Sequence, residues 1–348
     1  NVSELIKQAK QFKVKDLIIN DLVEYEKAKK KYKKFEYNFH NSFSIIDKIF
    51  KKKEIFYSMI SIVGIDGLKP SMQMIKYSKN IAIVNKESLI CGWSLIYKNL
   101  KRFKTNFIPI DSEHFSIFSL IDNINNVDKI YITASGGPFL KYPRSKLTNV
   151  TLNQTLKHPN WSMGKKISVD SSTMMNKLFE VIEARNIFNI PYNRISILTH
   201  PKSYVHAIVR FNNGLTKILS HEPNMKIPIH NSIYLNNEKK IKSKPINLDI
   251  LNKLEFKDID YKKFPLIKIL KILPKKNSLY ETVLISINDY FVSKFLSKKI
   301  KYKKLIQLIG KYAHSKDFMK FRKISVKNVN DIYKIRDYVS LKLDTLGI

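Results

Sequence analysis

The chain has 348 residues, a formal net charge of +34 at pH 7 and a single cysteine, Cys91. Its length allows two or three domains with substantial cores, and no run of 18 apolar residues predicts a membrane-spanning helix. One cysteine excludes an internal disulfide and fits a reducing cytoplasm, with Cys91 as a buried structural thiol. The charge raises nucleic-acid binding as a rival function, but the lysines are spread along the chain without a nucleic-acid motif. We therefore expect neither nucleic acid nor a membrane as a partner.

Helical and strand patterns alternate through the first 105 residues. Helices are predicted at 1–13, 21–34 and 69–79, and strands at 16–20, 56–63 and 80–84. Such alternation is typical of a parallel sheet with crossover helices, as in a dinucleotide-binding domain. We place this domain at 1–110, although the sequence has no GxGxxG turn of the kind that usually holds a dinucleotide's pyrophosphate.

Two predicted strands end in polar side chains. The apolar run 81–84 is followed by Asn85-Lys86-Glu87, and the run 107–110 is followed by Asp111-Ser112-Glu113. In an extended segment, Asp111 and Glu113 would point to the same side because they are two residues apart. If both converged with Glu180, the three carboxylates would form an oxygen-rich site suited to Mg²⁺ or Mn²⁺.

The densest group of polar side chains lies in residues 157–180. Nine of them are candidate ligands: His158, Ser162, Ser168, Asp170, Ser171, Ser172, Asn176, Lys177 and Glu180. Pro159 and Gly164 bracket a loop, and its Trp161 and Met163 can close over a small ligand.

The second half of this stretch predicts a helix. Residues 170–173 are all good N-cap types, and the helix is expected to continue to Ile187. Asn176 and Lys177 would share a face with Glu180, and free backbone N–H groups beside Ser171 would favour a phosphate. For the helix alone, a capping cluster and a solvated Lys–Glu pair are the simpler interpretation. The adjacent loop and the two strand ends shift the balance towards a functional site.

A further polar turn, 134–138, follows a predicted strand at 130–133. It can present Ser135 and backbone amides to a ligand, with a plain loop as the alternative.

Three histidines follow along the chain. His206 lies in an alternating strand, and the alternative to a role in the site is a packed structural histidine. His200, His206 and His221 have no HxxH or HExxH spacing, so we do not expect them to be metal ligands.

The remainder of the chain predicts a linker and a helical domain. We place a catalytic domain at 111–235 and a polar linker at 236–262. Residues 263–348 form the helical domain. Its predicted helices span 278–296, 302–314 and 329–346.

These motifs together resemble one enzyme family. The matching segments are VNKESL (84–89), PIDSEH (109–114), TASGGPF (133–139), LKHPNWSMGKKISVDSSTMMNK (156–177), IEAR (182–185), THPKSYVHAIV (199–209) and EPNMKIPI (222–229). They resemble 1-deoxy-D-xylulose 5-phosphate reductoisomerase, the NADPH-dependent enzyme of the non-mevalonate isoprenoid pathway. The match is dense from 62 to 229 and collinear on both sides.

The resemblance implies a fold, cofactors and a reaction. The fold would be α/β, with an incomplete Rossmann-like parallel-sheet domain, an α+β catalytic domain and a C-terminal helical domain. The enzyme would use NADPH and Mg²⁺ or Mn²⁺ to rearrange and reduce a sugar phosphate to 2-C-methyl-D-erythritol 4-phosphate. A cytoplasmic homodimer is expected.

The resemblance also implies a role for individual residues. The metal ligands would be Asp111, Glu113 and Glu180, and Lys86 and His158 complete the expected catalytic set. The residues expected to bind the substrate are Lys86, Ser112, Glu113, Ser135, His158, Ser171, Asn176 and Lys177. Positions that match cofactor contacts are Asn1, Asn85, Glu87 and Gly164.

The sequence departs from the family pattern in three places. Ala134 and Leu178 stand where the family usually has glycine, and the glycine-rich first βα unit is not matched. From that last departure we expect the chain as given to bind NADPH poorly. The alternatives are a catalytically impaired homologue that binds only metal and sugar phosphate, or a different NADPH-dependent reductase.

Overall fold

The computed structural model describes residues 1–51, 53–235 and 239–347. Its N-terminal region alternates helices and strands, as predicted. The helices are α1 (Val2–Phe12), α2 (Leu22–Lys31), α3 (Ile46–Ile49), α4 (Leu68–Met74) and α5 (Lys86–Phe103). The strands are β1 (Asp16–Ile18), β2 (Asn38–His40), β3 (Ile55–Ile60), β4 (Ser78–Ile83) and β5 (Asn106–Ile108).

The strands of this region form two separate parallel sheets. β1 pairs with β2, and β3, β4 and β5 pair in that order. In β4, Ile81, Ala82 and Ile83 are all buried, as expected for a parallel strand covered on both faces. The strand predicted at 56–63 ends earlier, at Ile60, because the chain turns at Gly64, where φ is +79°.

A central region follows with a five-stranded mixed sheet. Its strands are β6 (Val127–Ala134), β7 (Ile195–Thr199), β8 (Val205–Phe211), β9 (Thr216–Ser220) and β10 (Lys257–Asp258), in the order β10-β7-β6-β8-β9. Its helices are α6 (Ser112–Leu120), α7 (Leu152–Leu156), α8 (Lys165–Thr173), α9 (Met175–Phe188), α10 (Lys226–Tyr234) and α11 (Leu248–Leu251). Strand β6 runs parallel to β7 and antiparallel to β8.

One predicted helix start is wrong. Residues 170–173 were expected to cap the helix that runs to Ile187, but they form the last turn of α8 instead. Met174 then adopts a left-handed conformation with φ 64°, and α9 begins at Met175. The hydroxyls satisfy carbonyls inside α8, since Ser172 Oγ donates to Val169 O at 2.7 Å.

The C-terminal region is helical, as predicted. It contains a 3₁₀ segment (Pro265–Ile272) and helices α12 (Tyr280–Leu296), α13 (Tyr302–Ala313), α14 (Lys316–Met319) and α15 (Val329–Asp344). Helix α12 is almost wholly buried and shares the main core with α5 and α9. The predicted linker 236–262 contains α11 and β10, while its first three residues lie outside the described ranges.

Among the described helices, none has both the length and the apolar character needed to cross a membrane.

The left-handed end of α5 yields a stability prediction. Lys104 ends this helix with φ 54°. This left-handed backbone conformation is energetically unfavourable for residues that have a Cβ atom, but glycine adopts it readily. We expect Lys104→Gly to raise the free energy of unfolding by about 0.5–1 kcal/mol. The matched control is Lys101→Gly, which lies within the last helical turn and should lower it by about 1 kcal/mol. Urea unfolding followed by circular dichroism measures both, and a destabilised Lys104→Gly would contradict the argument.

Candidate active site

A cavity of about 230 Å³ opens where β4, β5 and β6 end against helices α8 and α9. All of the residues predicted to bind metal or substrate line it. They are Lys86, Asp111, Ser112, Glu113, Ser135, His158, Ser171, Asn176, Lys177 and Glu180. Segments up to 94 residues apart in the chain therefore meet at one place, at the carboxyl ends of parallel strands.

The three predicted carboxylates converge. One oxygen from each of Asp111, Glu113 and Glu180 lies within 4.8 Å of the others. The expected extended geometry is wrong, because Asp111 caps α6 and Glu113 lies in that helix's first turn. The cap places the Asp111 carboxylate over the helix start, where Glu113 also projects. Three anionic oxygen ligands at this spacing fit a hard divalent cation.

Two lysines lie against these carboxylates. Lys86 Nζ donates to Asp111 Oδ2 at 2.9 Å and to Asn176 Oδ1 at 2.7 Å. Lys177 Nζ donates to Glu113 Oε1 at 2.6 Å and to Glu180 Oε2 at 2.5 Å. All five charged side chains are largely shielded from solvent, so each depends on the others for compensation.

Burial and neighbouring charges shift the pKa values of these carboxyl groups in different directions. Burial and then the neighbouring Glu113 raise the pKa of Glu180 to about 8. Burial raises the pKa of Glu183, one turn further along α9, to about 7. For Asp111, burial acts in the same direction, but the Lys86 ammonium outweighs it and holds the pKa below its usual range. A divalent cation would supply the missing positive charge.

The other end of the cavity is a hydrogen-bonded pair, Ser135 and His158. His158 Nδ1 accepts from the backbone N–H groups of Asn160 at 3.2 Å and Trp161 at 3.0 Å. The ring proton must therefore be on Nε2, which lies 3.0 Å from Ser135 Oγ and donates to it. Ser135 Oγ also accepts from the Gly137 N–H, so its own proton is available to an acceptor in the cavity.

His158 is neutral in this arrangement. Burial and the nearby Lys177 ammonium lower its pKa to about 4. A neutral ring that orders the loop at 160–161 and orients Ser135 serves as a positioning group at the phosphate end.

The expected phosphate site at a helix N-terminus needs correction. Ser171 lines the cavity, but from the last turn of α8. The nearby helix start belongs to α9, where the N–H groups of Lys177 and Leu178 already bond Met174 O. A phosphate bound here would therefore be held by side chains rather than by the N–H groups of Lys177 and Leu178.

The four predicted cofactor residues lie outside this cavity's lining. Asn1 caps α1 through the Glu4 N–H at 3.3 Å. Asn85 accepts from the Ser88 N–H and donates to the carbonyls of Ile62 and Gly64. Glu87 is paired with Lys166, and Gly164 is the N-cap of α8.

Sequence reasoning missed several lining residues. Thr133, Ser203 and Met225 were given no role, although each lies inside one of the motifs that resemble the family. His206, treated as a possible structural histidine, is buried, donates from Nε2 to His221 O at 3.1 Å and also lines the cavity. Its place in the alternating strand β8 indicated burial but not that it lines the cavity.

The two departures from the family pattern are accommodated. Ala134 is the last residue of β6, in extended backbone that any residue adopts. Leu178 is fully buried in the main core, so its side chain packs away from solvent.

The fold and site define a class of protein: an α/β enzyme in which a carboxylate cluster, two lysines and a hydrogen-bonded Ser–His pair share one cavity. Three family models match the chain. "1-deoxy-D-xylulose 5-phosphate reductoisomerase" matches 1–92, its C-terminal domain matches 107–188, and "DXP reductoisomerase C-terminal domain" matches 220–339.

The chain belongs to the 1-deoxy-D-xylulose 5-phosphate reductoisomerase family, which confirms the resemblance. The enzyme of that name from Pelagibacter ubique (strain HTCC1062) is 51% identical over 351 residues, covering 100% of this chain and 90% of that protein.

Solved structures of the same enzyme also share the fold. The one from Zymomonas mobilis, in complex with NADPH, is 27% identical with a TM-score of 0.86, covering 99% of this chain and 89% of that one. Another, in complex with NADPH, fosmidomycin and magnesium, is 27% identical with a TM-score of 0.89, covering 99% and 88%.

The carboxylate cluster yields a metal prediction. Glu180→Gln removes one anionic ligand, so we expect Mn²⁺ affinity to fall at least about tenfold with the fold retained. Titration calorimetry measures the affinity, and Glu36→Gln, at an exposed carboxylate outside the cavity, is the control. Unchanged binding in Asp111→Asn, Glu113→Gln and Glu180→Gln alike would refute the three-carboxylate site.

The neutral His158 yields a pH prediction. Its pKa is about 4 when folded and about 6.5 when unfolded, so the unfolded chain binds more protons between these values. The free energy of unfolding therefore falls as pH drops from 6.5 towards 4. His158→Gln keeps an N–H for Ser135 and should lose about 1 kcal/mol less stability between pH 7 and pH 5 than the parent. Urea titrations at the two pH values test this, and identical losses would show that His158 does not contribute.

Proposed function

We propose how this chain carries out its family's reaction, the NADPH-dependent conversion of 1-deoxy-D-xylulose 5-phosphate to 2-C-methyl-D-erythritol 4-phosphate. One observation supports the assignment of roles most strongly. The carboxylate cluster and the Ser135–His158 pair line the same cavity. A small molecule with oxygens at one end and a phosphate at the other would span them.

The reacting end of the substrate lies at the carboxylates. Asp111, Glu113 and Glu180 hold a divalent cation, Mg²⁺ or Mn²⁺. When bound, this cation polarises the carbonyl and hydroxyl oxygens of the substrate as a Lewis acid. Lys86 and Ser112 contact the same oxygens; Ser112 Oγ now donates to Glu113 Oε2 at 2.7 Å and is within reach of the cluster.

The phosphate lies at the other end. Ser135 donates its free hydroxyl proton and Ser171 adds a neutral donor. Asn176 and Lys177 contact the carboxylate cluster in this structure. Once a cation took their place there, they would turn to the phosphate and add an amide donor and a positive charge. Lys177 is buried, and although burial opposes its charge, Glu113 and Glu180 raise its pKa. It therefore remains an ammonium group under all physiological conditions. His158 fixes the Ser135 hydroxyl and stands beside the substrate.

Trp161 and Met163 close the cavity. Both line it from the loop between Pro159 and Gly164, and Trp161 packs edge-on against His206, with ring centroids 6.1 Å apart. A closed loop excludes water while the substrate rearranges and is reduced. Asn85, Glu87, Gly164 and Asn1 lie on the NADPH side of the proposed assembly.

The domain division at 1–110, 111–235 and 263–348 is part of this proposal. A cytoplasmic location is also part of it, and the single buried thiol of Cys91 supports that location.

A homodimer is proposed as well. Strand β9 is an edge strand, and Leu215 and Ile218 beside it are at least half exposed. Such an edge can pair with the same strand of a second copy.

The activity prediction is direct. At an NADPH concentration high enough to offset the poor binding predicted from the sequence, the parent chain should oxidise NADPH only when 1-deoxy-D-xylulose 5-phosphate and Mg²⁺ or Mn²⁺ are both present. Asp111→Asn should lower kcat/KM by about 10²–10³, because one buried electrostatic partner of the reacting end is lost. The control is Lys98→Met on the exposed side of α5, which should leave the rate unchanged. Binding of metal and substrate by the parent without NADPH oxidation would contradict the assignment and identify an impaired homologue.

The dimer prediction concerns the β9 edge. Ile218→Lys places a charge on the proposed pairing strand, so we expect a shift from dimer to monomer by light scattering. Lys217→Arg keeps the charge of the neighbouring position and serves as the control. A parent chain that is monomeric at micromolar concentration would refute the dimer.

A further inference from the structure

Lys166 joins three separate helices. It lies in the first turn of α8, two residues after Gly164. Its Nζ lies 2.9 Å from Glu87 Oε1, 3.0 Å from Asp170 Oδ2 and 3.1 Å from Asp289 Oδ1. Glu87 belongs to α5, Asp170 to α8 and Asp289 to α12, so one ammonium group holds three elements together.

The network is shielded and strongly charged. The Glu87 and Asp170 side chains are 8% and 2% exposed, and Asn288 Nδ2 donates to Asp170 Oδ1 at 2.8 Å. Burial opposes the charge of Lys166, but Asp170, Asp289 and Glu87 raise its pKa well above the ordinary value. Buried carboxylates without a counter-charge are costly, so the relative position of the helices depends on Lys166.

The network lies between the two ligand sites. Asp170 immediately precedes Ser171, which lines the phosphate end of the cavity. On the other side, Glu87 lies in the first turn of α5, next to Lys86. On α8, Ile167, Ser171 and the following Met174 line the cavity, while Lys166 and Asp170 occupy the adjacent face. The same helix therefore presents a phosphate donor and a link to the proposed cofactor side.

We propose that Lys166 is a positioning residue that couples NADPH binding to binding at the phosphate end. This inference rests on the proposed function. A ligand that shifts Glu87 also shifts Lys166 through their 2.9 Å ion pair, and with it the start of α8 and the end of the loop that carries Trp161. The second ligand then finds α8 already in the position that binding requires, so each ligand raises the affinity for the other. Helix α12 is the fixed support, through Asp289 and Asn288.

The test measures this coupling. NADPH affinity is determined by its fluorescence, with Mg²⁺, in the absence and presence of saturating fosmidomycin, the ligand seen with NADPH and magnesium in a solved relative. The parent should show an affinity gain of about fivefold or more. Lys166→Met should abolish most of that gain, and Lys166→Arg should restore it in part. The matched control is Lys165→Met at the exposed neighbouring lysine, which should retain the full gain.

A second variant keeps the test valid if Lys166→Met does not fold. Asp289→Asn removes the α12 partner at a side chain that is 39% exposed and leaves Lys166 paired with Glu87 and Asp170. The rise in NADPH affinity caused by fosmidomycin should be smaller in this variant than in the parent. The fold-reduction in kcat should be smaller than the fold-reduction in that affinity gain. No gain in the parent, or a full gain in Lys166→Met or Asp289→Asn, would overturn the role of Lys166. A parent that shows coupling but no substrate-dependent NADPH oxidation would instead refute the proposed function.

Discussion

Repulsion among three largely shielded carboxylates is the constraint on which the rest of this structure depends. Asp111, Glu113 and Glu180 would not remain together in a shielded cavity without positive charge beside them. Lys86 and Lys177 supply it, while burial and then the neighbouring Glu113 raise the pKa of Glu180. A divalent cation, as proposed above, would relieve the same repulsion.

The surrounding fold keeps these groups in place. The left-handed break at Met174 separates α8 from α9, so Ser171 and Lys177 approach one cavity from two helices. Tyr302 in α13 donates to Ser172 O at 2.7 Å and holds the end of α8. The C-terminal helices thus act on the site by bracing α8, and the network around Lys166 extends that bracing to α5.

Much of the site could be predicted from the sequence because its residues lie in short, dense motifs. Every predicted metal and substrate ligand lines the cavity, since strand ends and a polar loop are where side chains converge. The break at Met174 was missed because Asp170 to Thr173 are residue types that favour helix starts, and local propensity gave no reason to end a helix there. The pairing of Asp289 with Lys166 could not be predicted from the sequence. It depends on how α12 packs against α8, which lies more than 100 positions away in the chain. The position of His206 in the cavity lining could be seen only from the assembled sheet. The alternating pattern of its strand alone cannot distinguish a histidine packed in the core from one that lines a cavity.

A crystal structure with Mn²⁺ and its anomalous scattering would test the central claim most directly. The account predicts one peak roughly 2.0–2.3 Å from oxygens of Asp111, Glu113 and Glu180. It also predicts that Lys86 Nζ and Lys177 Nζ move away from the oxygens they now contact, because the ion takes over their role. A peak at another group of residues, or Mn²⁺ bound with both lysines still on their carboxylates, would contradict it.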